Sequence, residues 1–183
     1  MQKLSKKLIL LLIAIISVSF IQAQDTIRSV IPVDTNTNLI TYAGGAKEEA
    51  VQYELYKRGI EWLNANFKNP ADVTRVRDDV NGEIQGVSRI TLEKIDQGVH
   101  VKTGTVEYSF TLQFKDNKYR YKFTGFYLKD NSKYPLEKWL DKKNPGYSYL
   151  WDEYLSQVNR NIVKLVDSLK KTMKGKKAVK DDW

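Results

Sequence analysis

The residue types that carry most enzyme chemistry are scarce in this chain and do not group together. His100 is the single histidine, and there is no cysteine. A catalytic triad needs a nucleophile with its own base, and a zinc site needs several His, Cys or carboxylate ligands, so one imidazole supplies neither. No serine lies in a GxSxG nucleophile elbow. We therefore predict no catalytic, metal-binding or cofactor-binding residue, and we place His100 in a loop or at a strand edge.

Two short segments have a weak likeness to ion-binding loops. Asp78, Asp79, Asn81 and Glu83 surround a glycine, but the spacing is not that of a calcium loop and no bidentate glutamate closes it. Residues 44–47 precede a predicted helix, where backbone amides can hold an anion, yet they match neither GxxxxGK nor GxGxxG. We interpret the first segment as a hairpin turn and the second as the entry to a helix.

Charged side chains form two candidate binding surfaces. The first is the polar side of a predicted sheet, which could bind an acidic ligand or glycan, or could be only the solvated side with Glu107 in a cross-strand ion pair. Its residues are Arg75, Arg77, Arg89, Glu107, Arg120 and Lys122. The second is the basic end of the last helix, which could make weak contacts with anionic lipid or envelope polymers. Its residues are Lys170, Lys171, Lys174, Lys176 and Lys177.

The elements that position these groups begin with a strand and a helix. A strand over residues 39–42 is ended by Gly44 and Gly45. Residues 47–49 open a helix, with acidic side chains in its first turn, that runs to about residue 67. Gly59 interrupts this helix and indicates a close approach to a sheet. The apolar residues at helical spacing are Val51, Leu55 or Tyr56, Ile60, Leu63 and Phe67.

Four antiparallel strands follow between residues 73 and 123. A three-residue loop with a bulge at Asn81 and Gly82 joins the first two strands. It places on one face Val76, Val80, Ile84, Ile90 and Leu92. The third strand alternates with period two, and its apolar side consists of Val106, Tyr108, Phe110, Leu112 and Phe114. A two-residue turn at Asp116 and Asn117 would pair Phe114 with Tyr119, Leu112 with Tyr121 and Phe110 with Phe123.

The last part of the chain predicts a short helical turn and a long helix. Pro135 starts the turn, which carries Leu136, Trp139 and Leu140. The stripe of the long helix consists of Trp151, Leu155, Val158, Ile162, Leu165 and Leu169. Because the sheet has one apolar face, both helices must lie on that face. The predicted fold is a two-layer α+β domain with the order β-α-β-β-β-β-α and a curved antiparallel sheet.

The first residues of the chain indicate export. Lys3, Lys6 and Lys7 precede an apolar run over residues 8–16, and a small residue, Ala23, ends the less apolar stretch behind it. This pattern is typical of a cleaved signal peptide over residues 1–23. With no cysteine the mature chain cannot be a lipoprotein, so we expect a periplasmic or secreted protein. Behind the leader we predict an extended segment at 24–38, one domain at 39–173 and a disordered basic tail at 174–183.

The element order resembles a known family of secreted bacterial proteins. The similar segments are residues 53–63 (YELYKRGIEWL), 81–86 (NGEIQG), the hairpin at 106–123 and residues 134–136 (YPL). The family is a domain of unknown function with a TATA-binding-protein-like (TBP-like) fold, and the resemblance covers about residues 39–173. Residues 44–51 depart from the family pattern. The resemblance implies this fold and supplies no activity, cofactor or site residue.

These observations favour an exported binding or structural module over an enzyme. The archetype of the fold bends DNA with a two-fold saddle and apolar wedges, but this chain has one copy of the unit and a polar open face, so we expect no nucleic-acid partner. The expected partner is an acidic ligand or an envelope component. Two alternatives stay open: a carboxylate-dependent hydrolase, which would need a pocket lined by two or more acids, and a peripheral membrane protein bound through the basic C-terminal helix.

Overall fold

A computed structural model describes residues 31–130 and 132–175 of the chain. The elements in chain order are β1 (Thr41–Lys47), α1 (Gln52–Asn66), α2 (Pro70–Val73), β2 (Thr74–Asp78), β3 (Glu83–Asp96), β4 (Val99–Lys115), β5 (Lys118–Lys129), β6 (Lys133–Pro135), a 3-10 helix (Leu136–Leu140) and α3 (Tyr149–Met173). The strands form one antiparallel sheet in the order β1-β5-β4-β3-β2, and β6 pairs with β5.

One face of the sheet is buried beneath α1, α3 and the 3-10 helix, and this confirms the predicted two-layer α+β fold. The strand alternation is confirmed as well, because every second residue of β4 from Val106 to Phe114 is buried. Ile84, Ile90 and Leu92 of β3 share that buried face. The other face carries no helix in the described ranges and is open to solvent.

The hairpin between β4 and β5 has the predicted register. Lys115 lies opposite Lys118 across the two-residue turn, Phe114 opposite Tyr119 and Phe110 opposite Phe123. Asn117 has a φ of 60°, a value that asparagine adopts more readily than most residues. Turn chemistry and side-chain pattern therefore specify the same pairing.

The hairpin between β2 and β3 differs from the prediction. Asp78 lies opposite Glu83, so the loop contains four residues, 79–82, and not three. As a result Val76 lies opposite Gln85 on the open face, and Val80 sits in the loop with 82% of its surface exposed. The prediction that these two valines share the buried face is wrong, because one additional loop residue reverses the side to which a strand residue points.

The predicted end of the first strand is also wrong, because β1 continues through both glycines to Lys47. Gly44 lies opposite Tyr121 of β5, and a Cβ atom on Gly44 would lie 2.6 Å from the Tyr121 hydroxyl oxygen. Glycine is needed here to leave room for the neighbouring ring, and it does not end the strand. Residues 44–47 therefore do not form a helix entry.

The first helix begins at Gln52, five residues after the predicted start. Its N-cap residue, Val51, has no capping side chain. Instead the Asp116 carboxylate, from the turn between β4 and β5, accepts the Gln52 backbone N–H at 2.7 Å. A carboxylate at this position satisfies an unpaired N–H and interacts favourably with the helix dipole. The predicted burial of Val51 is wrong, since 63% of its surface is exposed.

Trp62 joins both helices to the sheet. Its fully buried indole packs edge-on against Phe110 of β4 and Phe123 of β5, at centroid distances of 6.0 and 6.3 Å. Its Nε1–H donates to the backbone carbonyl of Leu165 in α3 at 3.2 Å. The predicted stripe of α1 omitted this residue, although it is among the largest fully buried side chains.

The long helix α3 packs along its predicted stripe, with Leu155, Val158, Ile162 and Leu169 buried. Its two ends are fixed by polar contacts. Ser148 caps the first turn by accepting the Leu150 N–H, and Arg58 of α1 donates to the Met173 carbonyl oxygen at 2.6 Å. Within the described ranges no helix has the length and apolarity needed to cross a bilayer.

The close approach of α1 to the sheet predicts the effect of Gly59→Ala. A Cβ atom at this position would lie 2.5 Å from Phe114 Cζ and 3.2 Å from Ile84 Cδ1, both of which are buried. We expect the variant to lose about 1–2 kcal/mol of unfolding free energy in urea denaturation, because overpacking outweighs the gain in helix propensity. Glu61→Ala, on the exposed side of the same helix, should change stability by less than about 0.5 kcal/mol. A stabilised Gly59→Ala variant would contradict the close packing.

Candidate ligand-binding face

The open side of the sheet brings together four of the six charged residues predicted for it. Arg89 lies opposite Glu107, and Arg120 and Lys122 lie opposite Gln113 and Thr111 of β4. Directly opposed residues of an antiparallel pair point to the same side, so all four side chains are on the open face. Their role as a ligand site stays a prediction.

Of the other two arginines, Arg77 does not lie on this face, and Arg75 has no directly opposed partner that would place it there. Arg77 is opposite Ile84, a buried residue, so the register places Arg77 on the helix side at the edge of the sheet. Arg75 falls at the bulge between Thr74 and Val76, where its Nη1 donates to the Asp72 carbonyl oxygen at 2.7 Å. The four-residue loop and the bulge are the physical reason for both differences, because each changes the side to which strand residues point.

Glu107 is the centre of a closed ion-pair cluster. Its carboxylate accepts hydrogen bonds from the Tyr127 hydroxyl and from Arg89 Nε, the latter at 3.0 Å, and Lys129 Nζ lies at 4.0 Å. The Tyr127 hydrogen bond, followed by that of Arg89, holds the pKa of Glu107 below its usual value. The same contact raises the pKa of Tyr127. Glu107 is therefore an ionised structural partner, as the cross-strand interpretation predicts, and does not resemble a general acid.

Three lysines form a row at the hairpin end of the open face. Lys47 of β1 lies opposite Lys118 of β5, and Lys118 lies opposite Lys115 of β4. All three are exposed, and among the described residues none has a carboxylate oxygen within 4.0 Å. Like charges directly opposite one another destabilise a sheet. With Arg120 and Lys122 they form what we call the basic end of the face: Lys47, Lys115, Lys118, Arg120 and Lys122.

Sequence reasoning omitted three of these five residues. Lys115 and Lys118 flank the predicted turn, so the predicted hairpin register already places them opposite each other. The two-residue turn is therefore a sufficient signal for this lysine pair. Lys47 had no such signal, because its place depends on β1 passing through two glycines and pairing with β5.

A polar relay fixes the centre of the basic end. Arg120 Nε donates to Gln113 Oε1 at 2.5 Å, and Gln113 Nε2 donates to Glu83 Oε2 at 2.6 Å. Next to the relay, a depression of about 390 Å³ is lined by residues that include Asn81, Lys115, Lys118 and Arg120. The lining also includes Gln113, Phe114 and Tyr119. Cations and amides around a shallow depression are suited to binding an anion.

The larger groove lies elsewhere, between α3 and the end of the β3–β4 hairpin. It has a volume of about 670 Å³, and its acids are Glu93 and Glu153. Each carboxylate is already bonded to a base, Glu93 to His100 Nδ1 at 3.0 Å and Glu153 to Arg160 Nη2 at 3.5 Å. His100 thus lies near the exposed start of β4, in accordance with its predicted place at a strand edge.

The acidic loop after β2 has the structure of a turn. The Asp78 carboxylate accepts the Asn81 backbone N–H at 2.8 Å and the Asn81 side-chain amide at 2.6 Å. The side-chain bond is the main cause of a lowered pKa of Asp78. Within residues 31–130 and 132–175 no group of three or more His, Asp or Glu side chains is placed to hold a metal ion.

The lysines of the last helix are only partly within the described ranges. Lys170, Lys171 and Lys174 are exposed, and Lys170 Nζ lies 4.0 Å from Asp167 Oδ1. Lys176 and Lys177, like the predicted leader and most of the predicted tail, lie outside the described residues.

The fold is that of an α+β protein of the TBP-like class. It has two long helices on one face of the sheet and a bare opposite face. Residues 48–129 match the family model DUF4468, a domain of unknown function with a TBP-like fold, and this confirms the resemblance found in the sequence. The match assigns no activity.

Two solved structures support the same fold. A TBP-like protein from Parabacteroides distasonis superposes with a TM-score of 0.61 at 11% identity, over 79% of this chain and 97% of that one. A DUF4468 family protein from Bacteroides ovatus gives a TM-score of 0.62 at 14% identity, over 81% of this chain and 93% of that one. At such identities the likeness shows the fold alone. Comparison with curated proteins finds no match.

The Glu107 cluster predicts how stability depends on pH. Because the folded-state pKa of Glu107 is lowered from 4.5, its contribution is present above about pH 4.5 and is lost as the pH falls through the folded value. We expect Glu107→Gln to reduce the unfolding free energy at pH 7 by about 1 kcal/mol, and this deficit to shrink in acid. Urea denaturation between pH 3 and 7 measures it, with the exposed Glu61→Gln as control. A deficit that is constant with pH would contradict the ion-pair role.

The lysine row predicts a stabilising substitution. Lys118→Gln removes the central charge and should raise the unfolding free energy by about 0.2–1 kcal/mol at low ionic strength. The gain should vanish in 1 M salt, where the screening length is about 3 Å. Lys102→Gln is the matched control, because Lys102 lies opposite Glu93 and its neutralisation should not stabilise the protein. Denaturation at two salt concentrations tests this, and equal effects of the two variants would count against repulsion within the row.

Proposed function

We propose that this chain is an exported, non-catalytic module that binds an anionic component of the bacterial cell envelope through the basic end of its open face. The observation that carries the proposal is the row of Lys47, Lys118 and Lys115, three like charges directly opposed and without a carboxylate partner among the described residues. Such a row costs folding stability. A bound anion would offset that cost. Ligand binding therefore explains why the three lysines lie together, and folding stability does not.

Several features support a binding role over catalysis. The basic end offers lysine and arginine donors around a shallow depression, and the carboxylates near it are committed to structural bonds, Glu83 to Gln113 and Asp116 to the start of α1. A carboxylate-dependent hydrolase has weaker support. The 670 Å³ groove contains two acids, Glu93 and Glu153, as this alternative requires, but each carboxylate is already hydrogen-bonded to a basic side chain.

Location outside the cytoplasm rests on the sequence. The lysines at positions 3, 6 and 7, the apolar run at 8–16 and Ala23 form the signal-peptide pattern, and their residues lie outside the described ranges. In that compartment the partners available to a basic surface are acidic polymers and lipid headgroups and not the genome. We accordingly propose no nucleic-acid partner. Attachment to membranes through Lys170, Lys171 and Lys174 is a secondary, weaker contact.

Titration of the purified protein with polygalacturonate and with sodium polyphosphate at 50 mM NaCl tests the proposal. We expect calorimetric binding that weakens as salt is added, because charge contacts release condensed counterions. The combined variant Lys47→Gln, Lys115→Gln and Lys118→Gln should bind at least tenfold more weakly.

A second combined variant with the same net charge is the control. Lys68→Gln, Lys102→Gln and Lys164→Gln neutralise exposed lysines that belong neither to the basic end nor to the C-terminal lysines at 170, 171 and 174. This variant should bind nearly as well as the unmodified protein. Equal losses in both variants would reduce the effect to net charge and would overturn the assignment to the basic end.

A further inference from the structure

The cations of β5 are arranged as a line and not as a ring. Lys118, Arg120 and Lys122 are alternate residues of one strand, and all three point to the open face. Alternate residues of a strand are about 6.6 Å apart, so the line extends over about 13 Å. Lys47 and Lys115 widen it at the turn end to a row across three strands.

A strip without large side chains borders this line. Gly45 lies opposite Arg120 and Ala43 lies opposite Lys122, so β1 presents on this side one methyl group and bare backbone. On the other side Lys122 faces Thr111. A ligand can therefore lie flat along β5 without meeting a wall, and none of the described residues directly opposite Arg120 and Lys122 is aromatic.

Arg120 is fixed in position at the middle of the line. Its Nε is held by Gln113, which is itself bonded to Glu83. Within the described residues its two Nη groups form no hydrogen bond, so they keep four donors in a planar arrangement that suits a carboxylate or phosphate. Because the guanidinium of Arg120 is already held in place, it loses less conformational entropy on binding than a mobile side chain does.

The two ends of the line differ. Near Lys122 the carboxylate of Asp34 is close enough to interact electrostatically with the lysine, and Asp34 is itself held by the Thr37 and Asn36 N–H groups. At the other end the line opens into the depression beside Lys115 and Lys118. An anionic chain is thus repelled at the Asp34 end and is free to continue past the turn.

We infer, on the basis of the proposed function, that the ligand is an extended polyanion whose acidic groups meet Lys118, Arg120 and Lys122 in succession along β5. A single small anion could use only the depression, and it would leave the line without a role. The shared chemistry is a linear chain with regularly repeated carboxylate or phosphate groups.

A length series tests this. The probes are galacturonic acid and its trimer and hexamer, and in a second arm inorganic phosphate, tripolyphosphate and a polyphosphate of about fifteen units. In one arm or in both, the affinity per molecule should rise at least tenfold from the monomer to the longest chain. For the longest chain, the slope of log affinity against log salt should be about −2, since each cation contributes about 0.7. The arm that shows this dependence identifies carboxylate or phosphate chemistry.

The variant Lys122→Gln separates a line from a point site. It should weaken binding of the longest chain at least threefold and reduce the salt slope by about 0.7, while the monomer binds as before. Lys102→Gln should change neither quantity. If monomer and longest chain bind with affinities within twofold, or if Lys122→Gln weakens every length alike, the extended ligand is wrong although anion binding stands. If no probe of either arm binds, the proposed function fails with it.

Discussion

The position of Trp62 determines most of what this protein presents to its surroundings. Its ring packs on Phe110 and Phe123 of the sheet while its N–H donates to Leu165 of α3, so one side chain holds both helices against the same side of the strands. Edge-on aromatic contacts and a satisfied buried N–H make this arrangement specific as well as stable. Because both helices are on one side, the opposite side of the sheet stays bare, and the residues of the basic end lie there.

That bare side is divided into two regions of different character. Around Glu107 the charges are opposite and paired with one another, which stabilises the sheet. At the turn end the directly opposed charges are all positive, and they have no carboxylate partner among the described residues. Strand pairing alone produces both, since directly opposed residues share a side. The distinction between a structural ion pair and a candidate site follows from which residue types the register brings together.

Much of the fold was predictable from the sequence, because the patterns that specify it are local. The alternation of β4 and the two-residue turn at Asp116 determine the central hairpin, and the stripe of α3 determines how that helix packs. The wrong predictions came from long-range contacts. Asp116 caps a helix that begins 64 residues earlier, and Gly44 is required by Tyr121, so neither shows in its own neighbourhood of the sequence. Of the basic end, Lys115 and Lys118 were accessible from the hairpin and Lys47 was not.

The capping role of Asp116 links the candidate surface to the stability of α1. The turn between Lys115 and Lys118 also holds the first N–H of the helix through Asp116, and Asn117 exchanges backbone hydrogen bonds with Glu48 and Ala50. Whatever immobilises the turn from the open side therefore also restrains fraying of a helix on the opposite layer. A ligand held at the turn would in this way stiffen the start of α1, in the opposite layer, without any change of fold.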